Sequence, residues 1–416
     1  MRDKRWLLAL LVVVWLLGGC QRALGPAPIR VGVLHSSTGT MAASEIPVKD
    51  AVLMAVEEIN ASGGLLGRKV ETVVLDGASD ESTFARQAER LIGQEKVCTV
   101  FGCWTSASRK TVKPIFEKKN HLLIYPLQYE GLEQSPNIVY TGAAPNQQIL
   151  PAVTWSATHL GKRFFLIGSD YVFPRTANAI IRDHARALGA EVVGEEYLLL
   201  GSTDAASVVE KIKTARPDVI LNTINGDSNV AFFRALREAG IRPDKIPTMS
   251  FSVAEQELLK LDKQAMAGDY ATWSYFQSID EFPNQQFVKR FKKRFGTQRV
   301  TDDPIEAAYF GVKLWAQAVG DSGSDKVEAI RRAIRRQSLR APEGIVTVDY
   351  ETQHTWKMVR IGKIRSDGQF ETVWHSQRAI RPTPFPGYRS RPEWEKFVDD
   401  LYVGWGEHWA NPGPSK

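Results

Sequence analysis

The chain has 416 residues, 43% of them hydrophobic and 24% charged, with a formal net charge of +6. That balance excludes a disordered or collagen-like chain. The positive excess is mild, and its densest cluster, Arg331, Arg332, Arg335 and Arg336, reads as a solvated helix face, so nucleic acid is not an expected partner. Three cysteines are too few for a disulfide scaffold, which leaves stability to a buried core.

Arg2, Lys4 and Arg5 precede a twelve-residue apolar run, Trp6 to Leu17. The run is short of the roughly 20 residues a membrane helix needs and suits a signal peptide over residues 1–19. It ends in Leu17-Gly18-Gly19-Cys20, which resembles the lipobox of bacterial lipoproteins. The resemblance implies that Cys20 becomes a lipid anchor and that the protein works on the periplasmic or extracellular face of a membrane. Removing residues 1–19 leaves a net charge of +4. Residues 20–27, rich in proline and glycine, read as a linker.

From Ile29 onward, strand and helix patterns alternate. Ile29 to His35 is a strand, and Pro47 to Asn60 carries apolar residues at helical spacing, with Pro47 placed to open the helix. Val70–Leu75, Lys96–Gly102 and His121–Tyr125 follow as strands, separated by helices over 81–92 and 106–118. Cys98 and Cys103 would face opposite sides of one strand, which disfavours a mutual disulfide. The rhythm restarts with strands at 163–168, 192–197, 218–223 and 248–251 and helices near 176–188, 205–214 and 228–239. Helices over 284–294 and 304–320 then precede short strands near 345–348, 357–361 and 370–374. Val/Ile/Leu-rich strands with helical crossovers predict an α/β protein of two doubly wound parallel-sheet lobes. The chain is expected to pass between them more than once. Residues 28–145 with about 278–350 form one lobe, 146–277 with about 351–386 the other, and 387–416 a C-terminal extension.

Open parallel sheets bind ligands beyond the carboxyl ends of their strands. The residues there are Glu45, Trp104, Ser106, Tyr125, Gln128 and Tyr129 in the first lobe, and Tyr171, Asp227 and Ser252 in the second. Ser106 stands where it can cap the following helix, whose free N–H groups suit a carbonyl oxygen. Amide, hydroxyl and carboxylate groups lie beside large aromatics, with no lysine or arginine cluster for an anion. The pattern fits a neutral, planar solute: Asp227, Glu45, Gln128 and the hydroxyls accept from its N–H groups, and Trp104, Tyr125, Tyr129 and Tyr171 wall it in. The bland alternatives are a helix cap at Ser106, a turn at Asn225-Gly226-Asp227 and plain core at Tyr125.

Several strings carry a family likeness. They are Phe101-Gly102-Cys103-Trp104-Thr105-Ser106, Tyr129-Glu130-Gly131, Gly142-Ala143-Ala144-Pro145-Asn146, Gly168-Ser169-Asp170-Tyr171 and Asn225-Gly226-Asp227-Ser228-Asn229. Over roughly Ile29 to Pro386 the sequence resembles urea-type substrate-binding proteins of ABC transporters, close to amide-binding proteins and the amidase-expression regulator. The resemblance implies the type I periplasmic-binding-protein fold with a three-strand hinge, and a pocket of Trp104, Ser106, Tyr125, Tyr129 and Tyr171. It implies urea as ligand, permease subunits as partners, and no cofactor. Short-chain amides such as acetamide and formamide, or branched-chain amino acids, are the alternatives, with a sensor role open for the amides. Trp104, Ser106 and Gln128 are expected to engage first, and Tyr171 and Asp227 to complete the site as the lobes close. An enzyme is not expected: the seven histidines are scattered, with no H-E-x-x-H run, and no G-x-S-x-G elbow occurs.

Overall fold

The computed structural model describes residues 26–413. Five parallel strands build the first sheet: β1 (Ile29–His35), β2 (Val70–Asp76), β3 (Val100–Gly102), β4 (Leu123–Tyr125) and β5 (Ile138–Tyr140), in the order β2-β1-β3-β4-β5. Because they run parallel, with Leu34 opposite Gly102 and Tyr125 opposite Tyr140, their carboxyl ends share one edge. Three helices connect them: α1 (Ala42–Ala61), α2 (Glu81–Gly93) and α3 (Ser106–Lys118).

After α4 (Ile149–His159) the second sheet begins. It holds β6 (Arg163–Ser169), β7 (Glu191–Leu198), β8 (Val219–Thr223), β9 (Thr248–Ser250) and β10 (Tyr270–Trp273). Its connecting helices are α5 (Val172–Ala187), α6 (Ala206–Ala215), α7 (Ser228–Glu238) and the single turns α8 (Glu255–Leu258) and α9 (Lys263–Met266). The chain then returns to the first lobe for α10 (Phe282–Phe295), α11 (Asp303–Ser322), α12 (Val327–Ile334) and a small antiparallel sheet of β11 (Ser338–Ala341), β12 (Gly344–Val348) and β13 (Thr355–Trp356). It ends on the second lobe, where β14 (Arg360–Ile364) and β15 (Phe370–His375) add antiparallel to β10, followed by α13 (Arg391–Gly404). One core joins β1–β5 to α10–α12, and two others lie on the faces of the second sheet.

Two boundaries differ from the sequence reading in ways that matter for the site. Helix α1 begins at Ala42, so Pro47 lies inside it. Proline has no N–H to give the carbonyl four residues back, and that carbonyl, on Ala43, accepts from the Gln256 side chain of the other lobe (3.1 Å). Helix α5 begins at Val172 rather than near 176, which makes Tyr171 its N-cap residue. Strand β3 is shorter than expected: Lys96 turns the chain in the left-handed region (φ 51°), and the ladder starts at Val100.

The three passages between lobes meet at Lys357. Its Nζ lies 3.1 Å from the Thr141 carbonyl, 3.2 Å from Glu343 Oε2 and 3.8 Å from Asp303 Oδ1. Asp303 Oδ2 accepts from the N–H groups of Ser274 (2.9 Å) and Tyr275 (3.0 Å). Gly142 belongs to the first passage; a Cβ there would come within 1.9 Å of the Leu127 carbonyl, so only glycine fits. Among the described residues no helix is long and apolar enough to cross a membrane. The proposed leader and Cys20 lie outside the described residues.

Candidate functional site

At the end of β3 the backbone is forced through a tight turn. A Cβ on Gly102 would stand 2.3 Å from the Leu34 carbonyl, and Cys103 takes a left-handed conformation (φ 67°) while donating to that carbonyl (2.9 Å). A non-glycine residue held there costs about 1–3 kcal/mol, and such strain gathers where a chain must be aimed. Here it carries Trp104 and Thr105 off the sheet edge into α3. Thr105, not Ser106 as the sequence suggested, caps the helix, accepting from the Ser108 N–H (3.0 Å). Ser106 is thereby free to turn inward: its hydroxyl donates to Glu130 and accepts from Arg109 Nη1 (3.0 Å).

Arg109, one helical turn beyond Ser106, is fully buried. It donates to Glu130 Oε1 (2.9 Å) and to Glu133 Oε1 (3.0 Å), and its guanidinium lies 4.9 Å from the Tyr125 ring centre and 4.5 Å from that of Tyr129. Lys110 Nζ reaches Glu133 Oε2 (3.4 Å), and the Tyr140 hydroxyl donates to Glu133 Oε1 (2.8 Å). Burial alone would raise the Glu133 carboxyl, but Arg109, Lys110 and Lys113 hold it well below the ordinary carboxylate range. Burial likewise opposes the charge on Arg109, and Glu133 and Glu130 more than restore it. Two cations thus face two carboxylates. The expectation that no lysine or arginine cluster accompanies these loops is corrected: Arg109 and Lys110 lie together there, paired with Glu130 and Glu133.

Aromatic rings form the walls. The Tyr125 hydroxyl donates to the Trp104 carbonyl (2.7 Å), and Tyr125 meets Tyr129 edge-on at 6.2 Å. Tyr129 stacks on Tyr140 (5.2 Å), which stacks on His354 (4.1 Å); the Tyr129 hydroxyl also bonds to His354 Nε2. Burial pushes His354 down to about 4, so its imidazole is neutral at physiological pH. Tyr171 closes the group from the second lobe. Tyr171 shares a buried cluster with Ala107 of α3 and with Leu132, and burial drives its phenol well above the usual range, with Tyr125 and Glu130 adding to the rise and Arg109 opposing it. Among the described residues nothing hydrogen-bonds to the Tyr171 hydroxyl.

Gln128 links the lobes: its Nε2 donates to the Phe251 carbonyl (3.2 Å) and to Ser252 Oγ (3.4 Å). Among the described residues its Oε1 is buried without a partner, an acceptor left open. Glu45 is buried and accepts from the Ser36 N–H (2.8 Å) beside His35 Nδ1 (3.2 Å). Asp227 is not brought in. It sits at the solvent-facing start of α7, half exposed, and pairs with Lys260 (2.6 Å), because the turn at Gly226 points it outward; its expected role in completing the site is corrected. Sequence reasoning passed over Arg109, Glu130, Glu133, Tyr140 and His354 as site components. A signal was present: Ser106 with Arg109, and Glu130 with Glu133, share a three-residue spacing. Among the described residues no group of three or more His, Cys, Asp or Glu is placed to hold a metal ion.

Two parallel-sheet lobes that meet at their strand ends over buried polar groups and aromatic rings have the architecture of a bilobal binding protein. The chain belongs to the periplasmic binding protein family, whose domain model matches residues 29–391. It is 23% identical over 406 residues to the Leu/Ile/Val-binding protein homolog 7 of Brucella suis, covering 92% of this chain and 100% of that protein. A 118-residue stretch is 34% identical to a Geobacillus stearothermophilus protein named limonene hydroxylase, spanning 28% of this chain and only 22% of that protein. A solute-binding protein of an ABC transporter from R. palustris, solved with 4-hydroxybenzoate, superposes with a TM-score of 0.77 at 22% identity, over 85% of this chain and 98% of that one. A branched-chain amino acid transporter substrate-binding protein from Streptococcus pneumoniae, solved with isoleucine, gives 0.74 at 19% identity, over 85% and 100%. These two show that the fold is shared.

Proposed function

We propose that this chain is the extracytoplasmic substrate-binding lipoprotein of an ABC importer, anchored through Cys20, and that it captures urea between its lobes for delivery to a membrane permease. The observation that carries the ligand class is the balanced charge at Arg109. Isoleucine and 4-hydroxybenzoate, the ligands in the structures above, each carry a carboxylate, which calls for a free donor or cation. Here the guanidinium is occupied by Glu130 and Glu133 and covered by Tyr125 and Tyr129. A neutral amide suits such a site. Its N–H groups meet the open Gln128 Oε1 and the remaining lone pair of the Ser106 hydroxyl, while its oxygen meets the Tyr171 hydroxyl or the first N–H groups of α3. Each buried polar group left unpaired costs about 1–3 kcal/mol, so a complete match also discriminates. Closure follows from a ligand that bridges both lobes and so binds the closed state better.

The test is calorimetric titration of the chain from Gln21 with urea, acetamide, formamide, isoleucine and 4-hydroxybenzoate. One-to-one binding of urea, with the others at least about tenfold weaker (~1.4 kcal/mol), is the expected result. Preference for acetamide or formamide moves the substrate within the amides, with a sensor role then open. Preference for either carboxylate overturns the charge argument.

A further inference from the structure

The family match stops at residue 391, but the ordered chain does not. Helix α13 packs Trp394 and Val398 into the second lobe's core, with the Trp394 indole donating to the Pro386 carbonyl (2.9 Å). Beyond it, residues 405–411 leave the helix and run past the turn that opens α5. The Val172 N–H donates to the Trp409 carbonyl (2.9 Å), Ala410 pairs as a β-bridge with Tyr171, and Asn411 donates to Asp170 through its backbone (3.0 Å) and its side chain (2.6 Å). Asp170 also holds Arg175 (2.7 Å). The turn that presents Tyr171 is therefore fixed from both flanks by the tail.

The same segment reaches the first lobe. The Trp409 N–H donates to Glu81 Oε2 (3.4 Å), an oxygen that also accepts from Thr111 (3.1 Å), and Lys110 Nζ lies 4.9 Å from the Trp409 ring centre. Lys110 is the lysine that contacts Glu133, so the tail touches the residue next to Arg109. The grip is narrow. Beside it lies a cavity of about 760 Å³ bordered by Lys110, Glu133, Arg391, Tyr402 and Trp409. A long, packed root on one lobe and a short, mostly polar contact on the other describe a fastening that can let go without unfolding.

We infer that Glu407–Asn411 is a strap that positions Tyr171 and ties the two lobes together outside the three hinge passages. Trp409, Asn411 and Glu81 are positioning residues: they act through Tyr171 and through the lobe–lobe equilibrium, not on the ligand. The strap's effect on ligand release rests on the proposed amide cleft; its effect on lobe closure does not.

The experiment has two arms on the chain from Gln21. The first is small-angle scattering of ligand-free protein, comparing wild type with Glu81→Ala/Trp409→Ala and with Glu81→Gln, which keeps an acceptor for the Trp409 N–H. The double variant is expected to be more open, with a larger radius of gyration, and Glu81→Gln to scatter as wild type. Circular dichroism confirms that each variant is folded, and Asn411→Ala, which touches only the Asp170 side, serves as a second probe should the double variant not fold. Identical scattering of folded variants and wild type overturns the strap. The second arm is stopped-flow release of whichever amide binds: about tenfold faster release (~1.4 kcal/mol) with unchanged association is expected, and unchanged release overturns the positioning role. If wild type binds no amide, the functional reading falls and the scattering still decides the strap.

Discussion

Two buried charge clusters divide the molecule's electrostatics. At the cleft, Arg109 and Lys110 face Glu130 and Glu133, and every charged oxygen there has a donor. At the hinge, Lys357 serves Glu343 and lies near Asp303, with Glu306, Asp302 and Glu255 buried close by, and among the described residues Asp303 Oδ1, Glu306 Oε2 and Glu255 Oε2 have no hydrogen-bond partner. Burial drives Glu255 up to about 8 and Glu343 to about 7, the latter in spite of Lys357. At the cleft Arg109 and Glu133 hold each other charged against burial, while burial pulls Lys110 down. An acid-rich cluster holds protons instead and makes the joint between the lobes sensitive to pH.

The largest effect is expected from breaking the balance. Arg109→Met leaves Glu130 and Glu133 buried with Lys110 alone, and loss of one partner from a buried ionic group costs about 3–5 kcal/mol. Guanidinium chloride unfolding should show it as a lowered midpoint, and amide binding should vanish with the displaced Ser106 hydroxyl. Arg109→Lys restores a charge but not the fork that reaches both carboxylates, so it should recover only part. A midpoint equal to wild type for Arg109→Met would mean that the cluster contributes no stability.

The loops that carry the cleft were legible because strand ends of a parallel sheet announce themselves: apolar β runs stop at His35, Gly102 and Tyr125, and polar residues follow. What stayed hidden was which side chains turn inward. An arginine three residues into a helix is ordinarily solvated, and only the third dimension brings Glu130 and Glu133 beneath Arg109. Asp227 failed in the opposite sense, since a strand-end position does not fix whether a turn residue faces the cleft or the solvent. Most strands were readable from Val and Ile content, but β5, β10, β11 and β13, none of them expected, are two to four residues long, and β13 exists only through pairing with β12. Helix α1 ran past its proline because a carboxamide from the other lobe satisfies the abandoned carbonyl, a long-range contact no local pattern contains.

The hinge cluster sharpens the comparison through pH. Glu255 and Glu343 have folded pKa values above the ordinary carboxyl value of 4.5, so between that value and about 7 to 8 the folded state binds more protons than the unfolded chain. Stability from these groups is present at low pH and is lost as pH rises through the folded values. His354, held at about 4, works the other way but only below its ordinary value of 6.5. The clean window is therefore pH 6.5 to 8, where stability should fall as pH rises, by at most about 1.4 kcal/mol per pH unit per proton. Glu255→Gln should flatten the slope, measured by thermal unfolding across that window, whereas Glu133→Gln should not, because Glu133 is ionised throughout. A flat profile in wild type would show that the hinge acids titrate normally.

The smallest effect is expected at Asp227. Its carboxylate is half exposed and its partner Lys260 is similarly exposed, at 51% and 43%. Pairs of that kind contribute about 0–1 kcal/mol, reduced further by salt. Asp227→Ala should leave amide affinity within about twofold and the melting temperature nearly unchanged, by calorimetry of both kinds. Gln128→Leu is the matched contrast, since it removes a buried acceptor and a lobe–lobe bond together and should weaken binding at least about tenfold. If Asp227→Ala proved as damaging as Gln128→Leu, the carboxylate would have to swing inward from its lysine when ligand arrives, and the cleft would not be as neutral as the Arg109 cluster makes it.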